Sequence, residues 1–202
     1  MFCRSSIGNY LQTKSNKEGL ITLFFYFFTM AEELIKELID GNKKYITNKR
    51  NEIVKYIPGQ KPKIAILTCS DSRVIPEFIF NKSIGELFVV RVAGNIAIGE
   101  TVIKSLEYAV DNLKVKLLII LGHTGCGAIK AAEESMESDC GELLGEIKKS
   151  FTLGENHPLC NLSRQLSMLP KRSRIIDKEI NESKIKLIGA IYNLESGVVE
   201  FL

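Results

Sequence analysis

The chain has 202 residues, 45% of them hydrophobic and 25% charged, the balance of a globular protein with a sizeable core. Lys and Arg exceed Asp and Glu by only 27 to 24, a net charge of +3 that argues against a nucleic-acid binder; the densest basic cluster, Lys171, Arg172 and Arg174, reads as a solvated face. Five widely spaced cysteines (Cys3, Cys69, Cys126, Cys140, Cys160) are an odd number in a chain too large to need disulfide staples, so they are expected to be reduced thiols in a cytoplasmic setting.

In chain order the first feature is the apolar run Leu20–Phe28, LITLFFYFF. It falls far short of the ~20 residues needed to span a membrane, and the long polar segment before it is unlike a secretory signal. The folded part is expected to begin at Met30, leaving residues 1–29 as an extension outside the core and 30–202 as a single domain. From Glu32 to about Asn48, Leu34, Ile35, Leu38, Ile39 and Tyr45 recur at helical spacing, which predicts an amphipathic helix. Pro58-Gly59 then breaks the chain.

Three apolar, β-branched runs follow with the length of buried parallel strands: Lys63–Thr68, Leu87–Val92 and Lys116–Gly122. Helical patterns lie between and after them, at Val74–Phe80, Glu100–Asn112 and from Ala128 to about Glu137. Alternating strand and helix predicts an α/β domain with a mainly parallel sheet flanked by helices. Residues 138–183 read as helices and loops, broken by Pro158 and Pro170. The end, KIKLIGAIYNLESGVVEFL, reads as a strand, a turn at Glu195–Gly197 and a short return strand.

Cys69 closes the first parallel strand in TCSDSRV, and His123 follows the third in LGHTGCG, three residues before Cys126. Reactive groups gather outside the carboxyl ends of strands in open α/β sheets, so these residues can converge although 54 positions separate the first two. Two thiolates and an imidazole suit Zn²⁺, and three protein ligands leave the fourth tetrahedral position open, as catalysis requires. Each residue alone has an ordinary explanation: a small buried Cys69, Ser70 or Asp71 as a helix cap, Arg73 as a surface charge, His123 as a turn residue. Together, with two of them in one inter-strand turn, they favour a metal site. The glycine pair Gly122 and Gly127 has phosphate-loop spacing, but Ala128 and Ile129 stand where Lys and Ser or Thr would be needed. Cys140 and Cys160 have no ligand partner at useful spacing, and His157 is a secondary candidate for proton transfer.

CSDSR, GELFVVRVAGNI, SLEYAV and LGHTGCGAIKAA, in this order, resemble the β-class carbonic anhydrases, in their plant-like branch. The resemblance runs from about Glu32 to the C terminus. It implies the fold of that class and one Zn²⁺ per chain on Cys69, His123 and Cys126, with Asp71 and Arg73 as a catalytic dyad. Asp71 would be a fourth ligand only in a closed form of the site. The substrate pocket would be walled by Gln60, Phe88 and Tyr108, with Ala93 where relatives often carry a larger residue. It further implies a pocket at a subunit interface, hence a homodimer or higher even oligomer. The absence of tryptophan speaks against an inhibitory bicarbonate site found in another branch.

The implied reaction is the lyase reaction of a carbonate dehydratase, reversible hydration of carbon dioxide to bicarbonate and a proton by attack of zinc-bound hydroxide. In it Asp71, kept ionised by Arg73, would orient the nucleophile. Carbon disulfide or carbonyl sulfide hydrolysis on the same scaffold is the alternative enzyme, and a non-catalytic zinc or redox-sensing module the alternative class.

Overall fold

The computed structural model describes residues 17–135 and 141–202, so Cys3 and Cys140 lie outside the described residues. The chain divides into two compact units, residues 1–55 and 56–202. In the first, one helix, α1 (Lys17–Lys55), runs for 39 residues. It takes in both the apolar run and the expected amphipathic stretch, so the expected boundary after residue 29 falls inside a continuous helix. No proline precedes Pro58 to interrupt it. Its apolar positions Leu34, Ile35, Leu38 and Ile39 are all about half exposed or more, at 53, 49, 73 and 50%.

The second unit is built on a five-stranded sheet of order β2-β1-β3-β4-β5. Strands β1 (Ile64–Thr68), β2 (Leu87–Arg91), β3 (Leu117–His123) and β4 (Lys186–Tyr192) run parallel. Strand β5 (Val199–Phe201) pairs antiparallel with β4, as the C-terminal turn predicts. Alternation along the central strands sends side chains to two buried faces, which is why their sequence is an unbroken apolar run. Ala65, Leu67, Leu118 and Ile120 pack with Ile103, Leu106 and Val110 of α3 (Glu100–Asp111), Leu162 and Leu169 of α6 (His157–Arg172) and Ile176 of α7 (Arg174–Asn181). Ile66, Ile119 and Leu121 face the other way, onto Val74, Ile79 and Phe80. Burying each such side chain fully contributes about 1.5–3 kcal/mol before entropy is counted.

Two proline expectations need correction. Pro158 and Pro170 both lie inside α6 rather than breaking it. Pro158 sits in the first turn, where no helix donor is required, and Asn156 caps the end by accepting from the Leu159 amide at 3.4 Å. Pro170 falls in the last turn, where its missing donor affects a single bond. By contrast Pro76 shortens its helix: α2 (Pro76–Ile79) starts later than the sequence pattern because Ile75, preceding a proline, is held extended at φ −118° and ψ 97°. The remaining helices are α4 (Gly127–Glu134) and α5 (Gly141–Lys148). Gly189 in β4 lets α6 approach closely: a Cβ there would lie 2.7 Å from Leu166 Cδ1. Among the described residues no helix is long and apolar enough to cross a membrane.

Candidate metal centre

Strands β1 and β3 are adjacent and in register, Thr68 opposite Leu121. Cys69 therefore leaves β1 beside Gly122, and His123 ends β3 one residue further on. The turn at Thr124 and Gly125 brings Cys126 back as the residue capping α4. Ligand atoms of Cys69, His123 and Cys126 all lie within 4.8 Å of one another, and all three residues are buried.

Their chemistry fits a tetrahedral metal ion. The two sulfurs are 3.9 Å apart, close to the ~3.8 Å expected for two thiolates each ~2.3 Å from one zinc at a tetrahedral angle. The His123 ring sits hydrogen-bond distance from the Thr124 carbonyl, Nδ1 to O 2.9 Å. A carbonyl only accepts, so Nδ1 carries the proton and Nε2 keeps its lone pair. That Nε2 is buried with no hydrogen-bond partner among the described residues, a costly state for a polar atom unless a ligand completes it.

The two thiols lie within hydrogen-bond reach of each other. Cys69 is pulled down to about 4 by its hydrogen bond with Cys126, against burial, with further help from the backbone at Asp71 and Gly94. Cys126 is pushed up by that same bond and by burial, while the amides of Ile129 and Ala128 pull the other way. A dication would take both sulfurs as thiolates.

Asp71 and Arg73 form the rim. Arg73 Nε donates to Asp71 Oδ1 at 2.9 Å and its Nη2 to Oδ2 at 2.7 Å, a bidentate pair, while the same Nη2 reaches the Gly125 carbonyl at 3.2 Å. The Arg73 backbone amide also donates to Asp71 Oδ1, at 3.0 Å. The guanidinium holds the Asp71 carboxyl well below the usual carboxylate range, and the Arg73 backbone amide adds to this. Asp71 Oδ2 lies 4.0 Å from His123 Nε2, at the edge of the ligand group.

The comparisons with known proteins agree with this geometry. The family model described as carbonic anhydrase matches residues 64–199, two thirds of the chain. This chain belongs to the β class of carbonic anhydrases. Carbonic anhydrase 2 of Mycobacterium tuberculosis is 30% identical over 183 residues, covering 80% of this chain and 88% of that protein. The β-carbonic anhydrase CcaA superposes with a TM-score of 0.71 at 26% identity, over 86% of this chain and 92% of that one. A tetrameric β-carbonic anhydrase from Sordaria macrospora has the same fold, with TM-score 0.72, 22% identity and coverage of 84% and 97%. Reversible hydration of carbon dioxide is the general reaction of the family.

In this carbonic anhydrase two of the expected pocket residues, Phe88 and Tyr108, are brought together within one chain. Phe88 and Tyr108, ring centroids 6.1 Å apart, line a groove of about 500 Å³ with Glu100, Thr101, Lys104 and Ser105, and no metal ligand lines it. Gln60 is exposed and Ala93 half-buried. His157 stacks on Phe151 with centroids 4.0 Å apart and pairs with Glu133 at 2.6 Å.

Several residues around the site escaped the sequence reading. Arg91 donates to the Cys69 carbonyl at 3.3 Å and the Asp71 carbonyl at 2.7 Å, bracing the ligand loop. Its signal was present: a charge at the end of the apolar run LFVV, as His123 stands at the end of its own run. Arg172 is not on a solvated face, because it pairs with the buried Glu146 at 2.7 Å, as Arg164 does at 3.0 Å. Burial works against the Glu146 charge, yet Arg172 and Arg164 hold its carboxyl below the usual range. Asn161 and Gln165, fully buried on α6, lie one helical turn apart on the apolar stripe that also carries Leu169. Amides on an apolar stripe were the overlooked signal.

Proposed function

We propose that this chain hydrates carbon dioxide reversibly at a zinc centre held by Cys69, His123 and Cys126. The observation that carries the proposal is the buried, unpartnered His123 Nε2 converging with two sulfurs 3.9 Å apart. Bound there, zinc supplies an acidified water, whose pKa falls from about 15.7 toward neutrality.

The chain's own residues do the rest. The two sulfurs and Nε2 would hold the ion. Asp71, ionised and acceptor-only, would accept a hydrogen bond at Oδ2 from the attacking water and so orient it toward the carbon of carbon dioxide. Arg73 decides where that carboxylate points: while both guanidinium bonds hold, Asp71 remains outside the ligand set, and only their release would let it close the site. Carbon dioxide plus water gives bicarbonate and a proton, which leaves to the solvent along the exposed side of the dyad.

Phe88, Tyr108, Gln60 and Ala93 serve as walls of a pocket completed by a second copy of the chain. The half-exposed apolar positions of α1 support a homodimer or higher even oligomer. We assign residues 30–202 to the catalytic domain and 1–29 to an extension. Two ligand thiols that must stay reduced suit a cytoplasmic location. Stopped-flow hydration with a pH indicator tests the reaction: activity should vanish with chelation and return with one zinc per chain. Turnover of carbonyl sulfide or carbon disulfide exceeding that of carbon dioxide would overturn the substrate assignment.

A further inference from the structure

Helix α6 carries two amides that are wholly buried and have no part in the mechanism above. Asn161 Nδ2 donates to the Gly94 carbonyl at 2.7 Å. Gln165 Nε2 donates to Asn161 Oδ1 at 3.2 Å, and Gln165 Oε1 accepts from the Ala97 amide at 3.0 Å and from Arg172 at 3.4 Å. Arg172 donates to the Ala97 carbonyl at 2.7 Å while its other nitrogen holds Glu146. The segment from Gly94 to Ala97 is thus fastened at its first carbonyl and at both backbone groups of its last residue.

The fastened segment touches the metal centre. Gly94 donates its amide to the sulfur of Cys69 at 3.3 Å. Gly94 sits at φ +71°, where a side chain would be strained, and a Cβ there would come within 2.7 Å of Ile147 Cδ1. An N–H donated to a thiolate draws charge off the sulfur and fixes its direction, as partners of metal ligands generally do.

We infer that Asn161 and Gln165 are positioning residues for the metal centre, acting through Gly94 to hold its N–H on the Cys69 sulfur. The inference rests on the zinc reading above. Its reach is long: the ion pair of Glu146 and Arg172 sets Gln165, Gln165 sets Asn161, and Asn161 sets a backbone donor on that ligand.

The test uses the full chain, loaded with zinc and, separately, with cobalt in its place. Asn161→Ala removes the donor to Gly94; Asn161→Asp removes it in nearly the same shape and carries the test should the alanine variant fail to fold. In both, zinc transfer to a chelator should be about tenfold faster than in the parent chain, and the thiolate-to-cobalt absorption band should move to longer wavelength because the sulfur is richer in charge. Leu162→Ala, a cavity in the same helix, should lower the melting temperature without moving the band. Parent-like zinc release and an unmoved band in both Asn161 variants would overturn the inference and leave the zinc centre standing. A parent chain that takes up neither metal would instead remove the centre itself.

Discussion

Two carboxylate–guanidinium groupings flank the metal centre, and they were built on opposite principles. Asp71 and Arg73 are two residues apart, and the Arg73 side chain is 57% exposed. Glu146 is 1% exposed and meets Arg164 and Arg172, 18 and 26 positions away. The first is local and wet at one end, so its worth lies in direction: it holds a carboxylate at the edge of the ligand group. The second is buried, where an unpaired charge is costly, so its worth lies in fixing α5, α6 and the 94–97 segment together. On the proposed mechanism the surface pair has to be releasable, whereas the buried one holds the packing together.

The largest effect should come from the ligands both groupings serve. Cys126→Ala should abolish zinc retention and lower hydration at least about 10³-fold, checked by metal analysis and stopped flow on one sample. Next, Asp71→Asn should cost about 10²–10⁴-fold in rate while the zinc content stays at the parent level, which separates the dyad from the ligand set.

Arg73→Ala should cost less, about tenfold at neutral pH from lost orientation. The guanidinium lowers the Asp71 pKa, so in the parent the carboxylate stays ionised below the usual value of about 4. Without Arg73 that pKa rises, but only toward a value far below the neutral range in which an acidified water titrates, so the loss should lie in the plateau rate and the acid limb should stay in place. A plateau rate equal to the parent's would break the functional half of the comparison.

The buried half predicts a different signature. Glu146→Gln strands two guanidinium groups and should cost about 3–5 kcal/mol of stability, a drop of roughly 10 °C in melting temperature for a chain of this size. If the melting temperature holds, burial of that pair is not what secures the region. The smallest effect is expected from the thiols of the metal-free chain. With Cys69 lowered to about 4 and Cys126 raised, one thiolate of this pair should absorb in the ultraviolet at neutral pH. Its band should persist to a pH well below the ordinary thiol range, and Cys69→Ser should remove it.

The same contrast explains what the sequence disclosed. Each parallel strand was legible as an apolar run of the right length, and Cys69, His123 and Cys126 stood out because polar chemistry sits where those runs end. Asp71 and Arg73 were visible beside Cys69. The fastening of Gly94 was not, since its parts come from Glu146, Asn161, Gln165 and Arg172, and only the packing of α5 and α6 brings them together. Arg172 looked like one of a surface trio for that reason. Pro158 and Pro170 misled because a proline is tolerated at a helix end, and both occupy ends of the same helix. Phe88 and Tyr108 were named on resemblance, which carries no information on which copy's centre they face.

The rung at Thr68 and Leu121 has a consequence for assembly. The Thr68 hydroxyl donates across that rung to the Leu121 carbonyl at 3.0 Å, in addition to the backbone pairing. A slip of one residue between these strands would turn the imidazole to the opposite side of the sheet, and no ion could then be shared. Metal capture therefore reports native strand alignment: zinc added during refolding should be taken up only after the central strands have paired, and should afterwards act as a latch against their sliding.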